Sequence, residues 1–166
     1  MILDTREEAE KAGLEIQTVV VGGTHNYDIA AGIDGVTEVP AGTYALLDER
    51  YREQRAELQP AASVIATVSS VPESSLAVAD AGMKSCGNDT GLPIVENRPD
   101  LTVTGLSAEH TSILADKTER PLQLGDKLWL RPWEIAVTCN LYDYMNGVRD
   151  GKLEAVFNVA ARGRYR

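Results

Sequence analysis

From residue 60 onward, short apolar runs alternate with clusters of turn-forming residues, and no run keeps a helical period. The strand candidates are residues 62–71, 75–80, 101–106, 126–132, 134–145 and 152–161. The clusters between them are rich in Gly, Pro, Asn, Asp and Ser, which end strands and form turns. Short strands with turn signals at such intervals predict an antiparallel sandwich or barrel. In the last cluster, Asp150-Gly151 suits a type I′ hairpin turn.

Residues 1–58 have a different rhythm, in which helix and strand patterns alternate. The predicted elements are a helix over 6–12, a strand over 15–21, a strand over 36–40 and a helix over 44–58. Asp4 or Thr5 can cap the first helix, and Gly13 can end it. The first strand is continuously β-branched at 19–21, which is typical of a strand buried on both faces. These elements therefore resemble the βα units that build a parallel sheet or barrel.

The two patterns together predict an α+β fold with a domain boundary between residues 58 and 59. Two βα units cannot close a barrel, and their strands would leave apolar faces and sheet edges uncovered. We therefore expect either that the chain is the back part of a longer protein or that a partner supplies the rest of the barrel.

Composition excludes some functions. Sixteen Lys and Arg against 25 Asp and Glu give a net charge of -9, whereas a nucleic acid binds a basic surface. The one local excess of positive charge is the C-terminal Arg162, Arg164 and Arg166, which could bind a phosphate or a partner or could simply be solvated. No apolar run is long enough to predict a membrane span. The two cysteines, Cys86 and Cys139, are far apart and fit free thiols in a reducing cytoplasm.

Two glycine loops are the strongest candidates for a binding site. Each follows a predicted strand, and their residues are Gly22, Gly23 and Thr24 in the first loop and Gly42, Thr43 and Tyr44 in the second. Backbone N–H groups in such loops can approach an anion closely, and loops after consecutive barrel strands form the usual phosphate site of that fold. The alternative for each loop is a tight turn without a ligand.

Other candidates are single residues. His25 follows the first glycine loop and is either a surface residue or an acid–base group. His110 lies beside Glu109, which could raise the pKa of the imidazole, or the two could be an exposed pair on a strand. Cys86 is more typical of an idle thiol than of a nucleophile, which needs an adjacent base. Lys84 is the one lysine near other polar groups, and a catalytic lysine is not expected in this chain.

Several stretches resemble the C-terminal half of the D-serine dehydratase / D-threonine aldolase family, pyridoxal-phosphate enzymes of fold type III that are related to alanine racemase. The matching stretches are "VVVGGT", "TEVPAGTYALLD", "IATVSSVP", "VADAGMKS", "LTVTGLSAEHTSIL", "LGDKLWLRP" and "CNLYDYMNGVRDGKLEAVFNVAARGR". They occur in the family's order across residues 16–166, and that order is more specific than any one of them.

The resemblance implies that residues 1–58 are the last units of an incomplete (β/α)8 barrel and that residues 59–166 are the family's β-domain. It implies that the two glycine loops hold the phosphate of pyridoxal phosphate, and we take His110 as the candidate catalytic residue. The lysine that binds the cofactor would lie early in the barrel, before residue 1 of this sequence. The expected partners are that N-terminal barrel half, a small amino-acid substrate and, for the complete enzyme, a second copy.

The stretch "RPWEIAVTCNLYDYM" (131–145) departs from the family. Members carry a histidine, one intervening residue and a cysteine or aspartate after the proline, and that pair binds a divalent metal. Here Glu134 and Ala136 take those places, and alanine cannot bind a metal. If the stretch is a strand, Cys139 points to the opposite face and cannot replace the missing ligand. Glu134 could bind a hard cation weakly with water or pair with an arginine or with His110.

Three functions follow from the resemblance. The first is the C-terminal part of a lyase, an aldolase or dehydratase, that acts on D- or β-hydroxy amino acids. Because the metal pair is absent, the second function is that of a metal-independent racemase-like enzyme. The third is a catalytically silent fragment that serves as a partner subunit.

Overall fold

The computed structural model describes residues 1–164, so Tyr165 and Arg166 lie outside it. Its helices are α1 (Ile2–Lys11), α2 (Tyr27–Ala31) and α3 (Ile135–Cys139), and short 3-10 turns cover Thr43–Ala45 and Glu49–Tyr51. The strands are β1 (Val64–Glu73), β2 (Leu76–Ala79), β3 (Ile94–Val95), β4 (Thr102–Leu106), β5 (Thr111–Leu114), β6 (Lys127–Arg131), β7 (Tyr144–Arg149) and β8 (Lys152–Asn158). None of the helices within 1–164 is long and apolar enough to cross a membrane.

Six strands form one sheet in the order β3-β6-β1-β2-β5-β4. Every neighbouring pair in it is antiparallel, as predicted for this part of the chain. The edge strands β3 and β4 approach each other, so the sheet curls towards a barrel. Strands β7 and β8 form a separate antiparallel hairpin.

Alternation along the strands explains how the sheet forms its core. In β6, Leu128 and Leu130 are buried whereas Lys127 and Trp129 are exposed, because successive side chains of a strand point to opposite faces. The buried side chains of the other strands join these two leucines in one cluster. Strands β3 and β5 are missing from the predicted set, because β3 has only two residues and β5 is short and polar at both Thr111 and Ser112.

The predicted hairpin turn is confirmed. Asp150 and Gly151 join β7 to β8, and both have positive φ, 50° and 74°. Type I′ turns require positive φ at both central positions.

In residues 1–58, most of the predicted helices and strands differ in length from those in the structure. Helix α1 begins at Ile2 rather than after Asp4 or Thr5, and the Thr5 hydroxyl donates to the carbonyl of Met1 (2.9 Å) instead of capping. The strands predicted over 15–21 and 36–40 reduce to one parallel bridge between Val20 and Glu38. No further strand flanks that pair within residues 1–164, so the ladder has nothing to extend it.

The helix predicted over 44–58 is also wrong, because residue 47 cannot continue a helix. Leu47 has φ of 60° and its side chain is fully buried. A left-handed backbone at a leucine costs about 1–2 kcal/mol, and burial of the side chain offsets that cost. Only the two short 3-10 turns remain of the predicted helix.

The strand predicted over 134–145 is a helix followed by a strand. Helix α3 covers Ile135–Cys139, and β7 starts only at Tyr144. The first N–H of α3, that of Ile135, donates to Asp48 Oδ1 (2.7 Å), which lies 87 residues earlier. A cap supplied from so far along the chain leaves no local signal in the sequence.

Candidate functional site

The two glycine loops meet in space. The hydroxyl oxygen of Thr24 accepts the N–H of Tyr44 (3.1 Å), which joins the first loop to the second. Both loops follow the parallel bridge between Val20 and Glu38, and the carboxyl ends of parallel neighbours lie at the same edge. Thr24 is buried at this junction. The two loops therefore form one continuous backbone surface.

Only glycine fits at the start of the first loop. Gly22 has φ of 81°, and a Cβ there would lie 2.8 Å from both Ala30 Cβ and Asn26 Oδ1. The neighbouring N–H of Gly23 donates to the same Asn26 Oδ1 (2.9 Å). Asn26 precedes α2, so its side chain closes the loop into a tight turn. The space that a Cβ would fill is taken by Ala30 and Asn26, so glycine allows α2 to pack directly against the loop backbone.

Some backbone donors of the loops are used and others are not. The N–H groups of Gly23 and Tyr44 donate to side-chain oxygens of the protein. Within residues 1–164, no acceptor is bound by the N–H groups of Gly22, Thr24, Gly42 and Thr43. Free backbone N–H groups and a hydroxyl are the kinds of donor that bind a phosphate group. The assignment of the loops to the phosphate of pyridoxal phosphate stays a prediction.

Arg55 links the end of the first loop to α2. Its guanidinium donates twice to the carbonyl of His25 (2.9 and 2.7 Å) and binds both carboxylate oxygens of Asp28. The hydrogen bond from Arg55 lowers the pKa of the Asp28 carboxyl. The imidazole of His25 stacks on Tyr51, with ring centroids 5.3 Å apart. These contacts show His25 as part of the loop's support, and its proposed acid–base role stays a prediction.

A second group of polar side chains joins residues 1–58 to the sheet. Asp48 is completely buried and accepts two hydrogen bonds, from Ile135 N–H (2.7 Å) and from Arg50 Nε (3.1 Å). Arg50 Nη1 lies 3.5 Å from Glu134 Oε2, and the Thr90 hydroxyl donates to that same oxygen (3.0 Å). The alternative in which Glu134 pairs with an arginine is therefore the one observed.

The residues at this position do not fit a divalent metal. Ala136 has no donor atom, and the Glu134 carboxylate already binds Arg50 and Thr90. Across residues 1–164, no three His, Cys, Asp or Glu side chains come together in a metal-binding cluster. A divalent cation would need several oxygen or nitrogen ligands in place of these contacts.

The strand argument that separated Ala136 from Cys139 is wrong, because both lie in α3. Three residues apart on a helix, they are neighbours, and they line one open cavity of about 260 Å³ together with Asn140 and Arg162. Burial, and then the nearby Asp48 carboxylate, raises the pKa of the Cys139 thiol. A raised pKa disfavours the thiolate, which is the form that binds a metal.

The structure describes two of the three C-terminal arginines, Arg162 and Arg164. Arg162 donates from Nε to the carbonyl of Asn140 (3.2 Å) and pairs with Asp143. It thereby ties the end of the chain to the residue that follows α3. Arg164 lines the same cavity as Cys139, and Arg166 lies outside the described residues. A phosphate-binding role for this group stays a prediction.

His110 lies away from the glycine loops. It is exposed in the turn between β4 and β5, where its backbone bonds to Ser107. Its neighbour Glu109 binds Lys84 Nζ (2.6 Å), and the hydrogen bond from Lys84 lowers the pKa of the Glu109 carboxyl. Among residues 1–164, no hydrogen bond or ion pair joins His110 to either loop. Its catalytic role stays a prediction.

Cys86 is unreactive. Burial raises the pKa of its thiol to about 11, despite a hydrogen bond with Thr138 that acts in the opposite direction. Both cysteines are free thiols. Only the thiolate is a nucleophile, so the prediction of an idle thiol agrees with this environment.

Asp48, Arg50 and Thr90 are not among the residues predicted from the sequence. The only signal for the first two was the charged cluster "LDERYRE" inside a segment assigned to an amphipathic helix. Thr90 lies in the predicted turn cluster "GNDTG", where a hydroxyl carries no distinguishing pattern.

Known proteins resemble this chain in sequence and in structure. The family model of a putative serine dehydratase domain matches residues 61–148. A 3-hydroxy-D-aspartate aldolase of Paracoccus denitrificans (strain Pd 1222) is 36% identical over 164 residues, which cover 93% of this chain and 42% of that protein. A D-threonine aldolase of Arthrobacter sp is 33% identical over 159 residues, with 92% and 41% covered.

The crystal structure of D-threonine aldolase from Filomicrobium marinum superposes with a TM-score of 0.83 at 28% identity. The superposition covers 99% of this chain and 47% of that one, and it confirms the predicted fold class. The chain spans less than half the length of these relatives.

Proposed function

This chain belongs to the putative serine dehydratase domain family, and from that membership we propose that it is the C-terminal part of a pyridoxal-phosphate-dependent lyase. The lyase is an aldolase or a dehydratase, and its substrates are D-configured or β-hydroxy amino acids. The relatives named as aldolases of 3-hydroxy-D-aspartate and D-threonine support this reaction class.

The observation that carries the proposal is the hydrogen bond between Thr24 and Tyr44 N–H, which joins the two glycine loops. The joined loops hold the cofactor phosphate through backbone N–H groups and the Thr24 hydroxyl. When bound, pyridoxal phosphate supplies the electron sink, and the protein supplies orientation and proton transfer. Gly22 would contribute its backbone N–H, and the absence of a side chain there lets α2 pack against the loop.

The partner is the N-terminal half of the barrel, which carries the cofactor-binding lysine, either in the same polypeptide or as a separate chain. Two observations support it. The relatives are more than twice as long as this chain. Near the parallel bridge, the apolar side chains of Val20, Ile29 and Ile33 are exposed, where the rest of a barrel would cover them. The complete enzyme is a homodimer. It works in a reducing cytoplasm, a compartment that the free thiols favour.

His110 is the proposed catalytic residue, since its imidazole is exposed and therefore accessible to a substrate. In the assembled enzyme, His110→Gln should lower kcat by about 10²–10⁴-fold, the usual contribution of an acid–base group. Glu109→Gln is the matched control and should change kcat by less than about threefold, since it removes only an exposed ion pair. Equal effects of the two variants would remove His110 from the site.

A second function, a metal-independent racemase-like enzyme, is favoured by one observation. The metal pair is replaced by Glu134 and Ala136, and Glu134 binds Arg50. Product analysis separates the two functions: a lyase releases an aldehyde or a 2-oxo acid with ammonia, whereas a racemase returns the amino acid with inverted configuration.

The testing experiment is co-expression of this chain with the N-terminal segment of the Paracoccus aldolase that precedes the matched region. We expect a complex that retains pyridoxal phosphate, with a visible absorbance band, and that cleaves 3-hydroxy-D-aspartate or D-threonine. The N-terminal segment alone is the control. A stable complex without the absorbance band would leave only the third function, a catalytically silent partner subunit.

A further inference from the structure

The position before α3, where a divalent metal would be expected, contains an ion pair of the protein itself. Glu134 precedes the helix, and its Oε2 receives both Arg50 Nη1 (3.5 Å) and the Thr90 hydroxyl (3.0 Å). The two carboxylates that contact this guanidinium, Asp48 and Glu134, come from segments 86 residues apart in sequence, 134 minus 48.

Arg50 is held in place rather than free at the surface. Its Nε donates to Asp48 Oδ2 (3.1 Å), and its guanidinium lies 4.5 Å from the centroid of the Tyr51 ring. Asp48 is itself fixed, because it is completely buried and accepts the Ile135 N–H. The Arg50 side chain is only 28% exposed. Contacts on three sides therefore define the position of its positive charge.

The charges at this position are balanced by Arg50. Without it, the carboxylates of Asp48 and Glu134 would share one partly buried region with no cation between them, which is unfavourable. Two such carboxylates attract a divalent cation. The guanidinium therefore supplies the positive charge that a metal ion would otherwise supply to these two carboxylates.

We propose that Arg50 is the resident cation of this site and replaces a divalent metal, so the enzyme is metal-independent. Its second terminal nitrogen, Nη2, binds no acceptor within residues 1–164. That nitrogen is available to donate to a carboxylate or hydroxyl oxygen of the amino-acid substrate, a role that rests on the proposed function. The replacement of the metal by Arg50 stands independently of it.

Manganese titration of the 166-residue chain, followed by electron paramagnetic resonance, tests the proposal without cofactor or turnover. The wild-type chain should bind Mn²⁺ no more tightly than about 1 mM, the weak end for carboxylate sites. Arg50→Ala should bind Mn²⁺ at least tenfold more tightly, because it leaves Asp48 and Glu134 without their cation. Arg149→Ala is the matched control, since it removes an arginine from the exposed pair with Glu154, and it should behave like the wild type.

A second variant keeps the test valid if Arg50→Ala is poorly folded. Arg50→Gln keeps a hydrogen-bond donor for Asp48 but removes the positive charge, and it should also bind Mn²⁺ at least tenfold more tightly than the wild type. If folded Arg50→Gln binds Mn²⁺ no more tightly than the wild type, the proposal is overturned. The proposal is overturned if the wild-type chain binds one Mn²⁺ in the micromolar range and Glu134→Gln abolishes that binding. Such a result would support a metal-assisted lyase, so failure here leaves the proposed function intact.

Discussion

In the sheet and the loops beside it, thirteen buried hydrophobic residues form one cluster, whereas residues 1–58 bury only three hydrophobic residues, Val19, Ala30 and Leu47. The first region is held instead by polar groups that are also buried, among them Thr24, Asp48 and Arg55. Each of these three side chains bonds to a backbone atom of another segment. One region is therefore stabilised by apolar packing and the other by specific hydrogen bonds.

The comparison explains why the two regions differ in regular structure. Each strand of the sheet finds its hydrogen-bonding neighbour within the chain. The β-branched run before the first glycine loop finds one bridge partner, Glu38. Strands without neighbours leave backbone groups to solvent or to another chain. Residues 1–58 therefore contain little regular strand structure, because their strand segments lack further neighbours within residues 1–164.

The largest expected effect is at Asp48, where the polar contacts between the two regions converge. Asp48→Ala should lower the free energy of unfolding by about 3–4 kcal/mol, because it leaves the buried Ile135 N–H without its acceptor and removes one of the two carboxylates that contact Arg50. Urea unfolding followed by tryptophan fluorescence measures the loss. Asp48→Asn keeps an oxygen for the Ile135 N–H and should lose less than half as much. A loss below about 1 kcal/mol for Asp48→Ala would contradict the importance of this contact.

The next effect is expected in the sheet. Leu128 is fully buried in the cluster, and Leu128→Ala should lower the free energy of unfolding by about 3 kcal/mol through lost burial and the cavity left behind. Leu14→Ala, at a residue that is exposed in the first region, should change it by less than about 0.5 kcal/mol. Similar losses for both variants would show that residues 1–58 have an apolar core as well.

A smaller loss is expected in the first glycine loop. Gly22→Ala should destabilise the protein by about 1–3 kcal/mol, because it combines a strained positive φ with a Cβ too close to Ala30 and Asn26. Gly23→Ala is the control, since a Cβ there meets only His25 atoms at 3.5 Å or more. Thermal unfolding of both variants gives the comparison. If Gly23→Ala is the more damaging variant, the assigned geometry of the loop is wrong.

The smallest effect is a dependence on pH. Burial raises the pKa of the Glu96 carboxyl, but hydrogen bonds from Ser63 and Arg131 outweigh it and hold that pKa below its ordinary value of 4.5. A lowered carboxyl pKa stabilises the folded state above the unfolded pKa, and this stability is lost as the pH falls through the folded value. Glu96→Gln should therefore weaken the loss of stability below pH 4.5. The difference should stay below about 1 kcal/mol because the carboxylate is partly solvated.

That pH effect is measured as the free energy of unfolding between pH 7 and pH 3. Glu154→Gln is the control, since its partner Arg149 lies on the exposed hairpin. Identical pH profiles for the wild type and Glu96→Gln would show that the pairs between Glu96, Ser63 and Arg131 make no contribution.

The sequence predicted those features that depend on near neighbours. The short apolar run over 126–132 between turn clusters identified β6, and Asp150-Gly151 identified the hairpin turn, because both signals are local. The glycine loops were also located from local sequence, although the bond between Thr24 and Tyr44 N–H joins segments 20 residues apart. Prediction failed where distant contacts decide the backbone. Burial of Leu47 interrupts one predicted helix, and Asp48 caps α3 from across the molecule.

We propose above all that the two glycine loops form one phosphate site. The direct test is the affinity of the assembled enzyme for pyridoxal phosphate, measured by the visible absorbance band, in the wild type, Thr24→Val and Thr104→Val. Thr24→Val removes the hydroxyl that joins the loops and should weaken cofactor binding at least tenfold, about 1.4 kcal/mol. Thr104→Val, on the exposed face of β4, should leave the affinity unchanged. Equal cofactor affinity in all three proteins would contradict the assignment of the phosphate site.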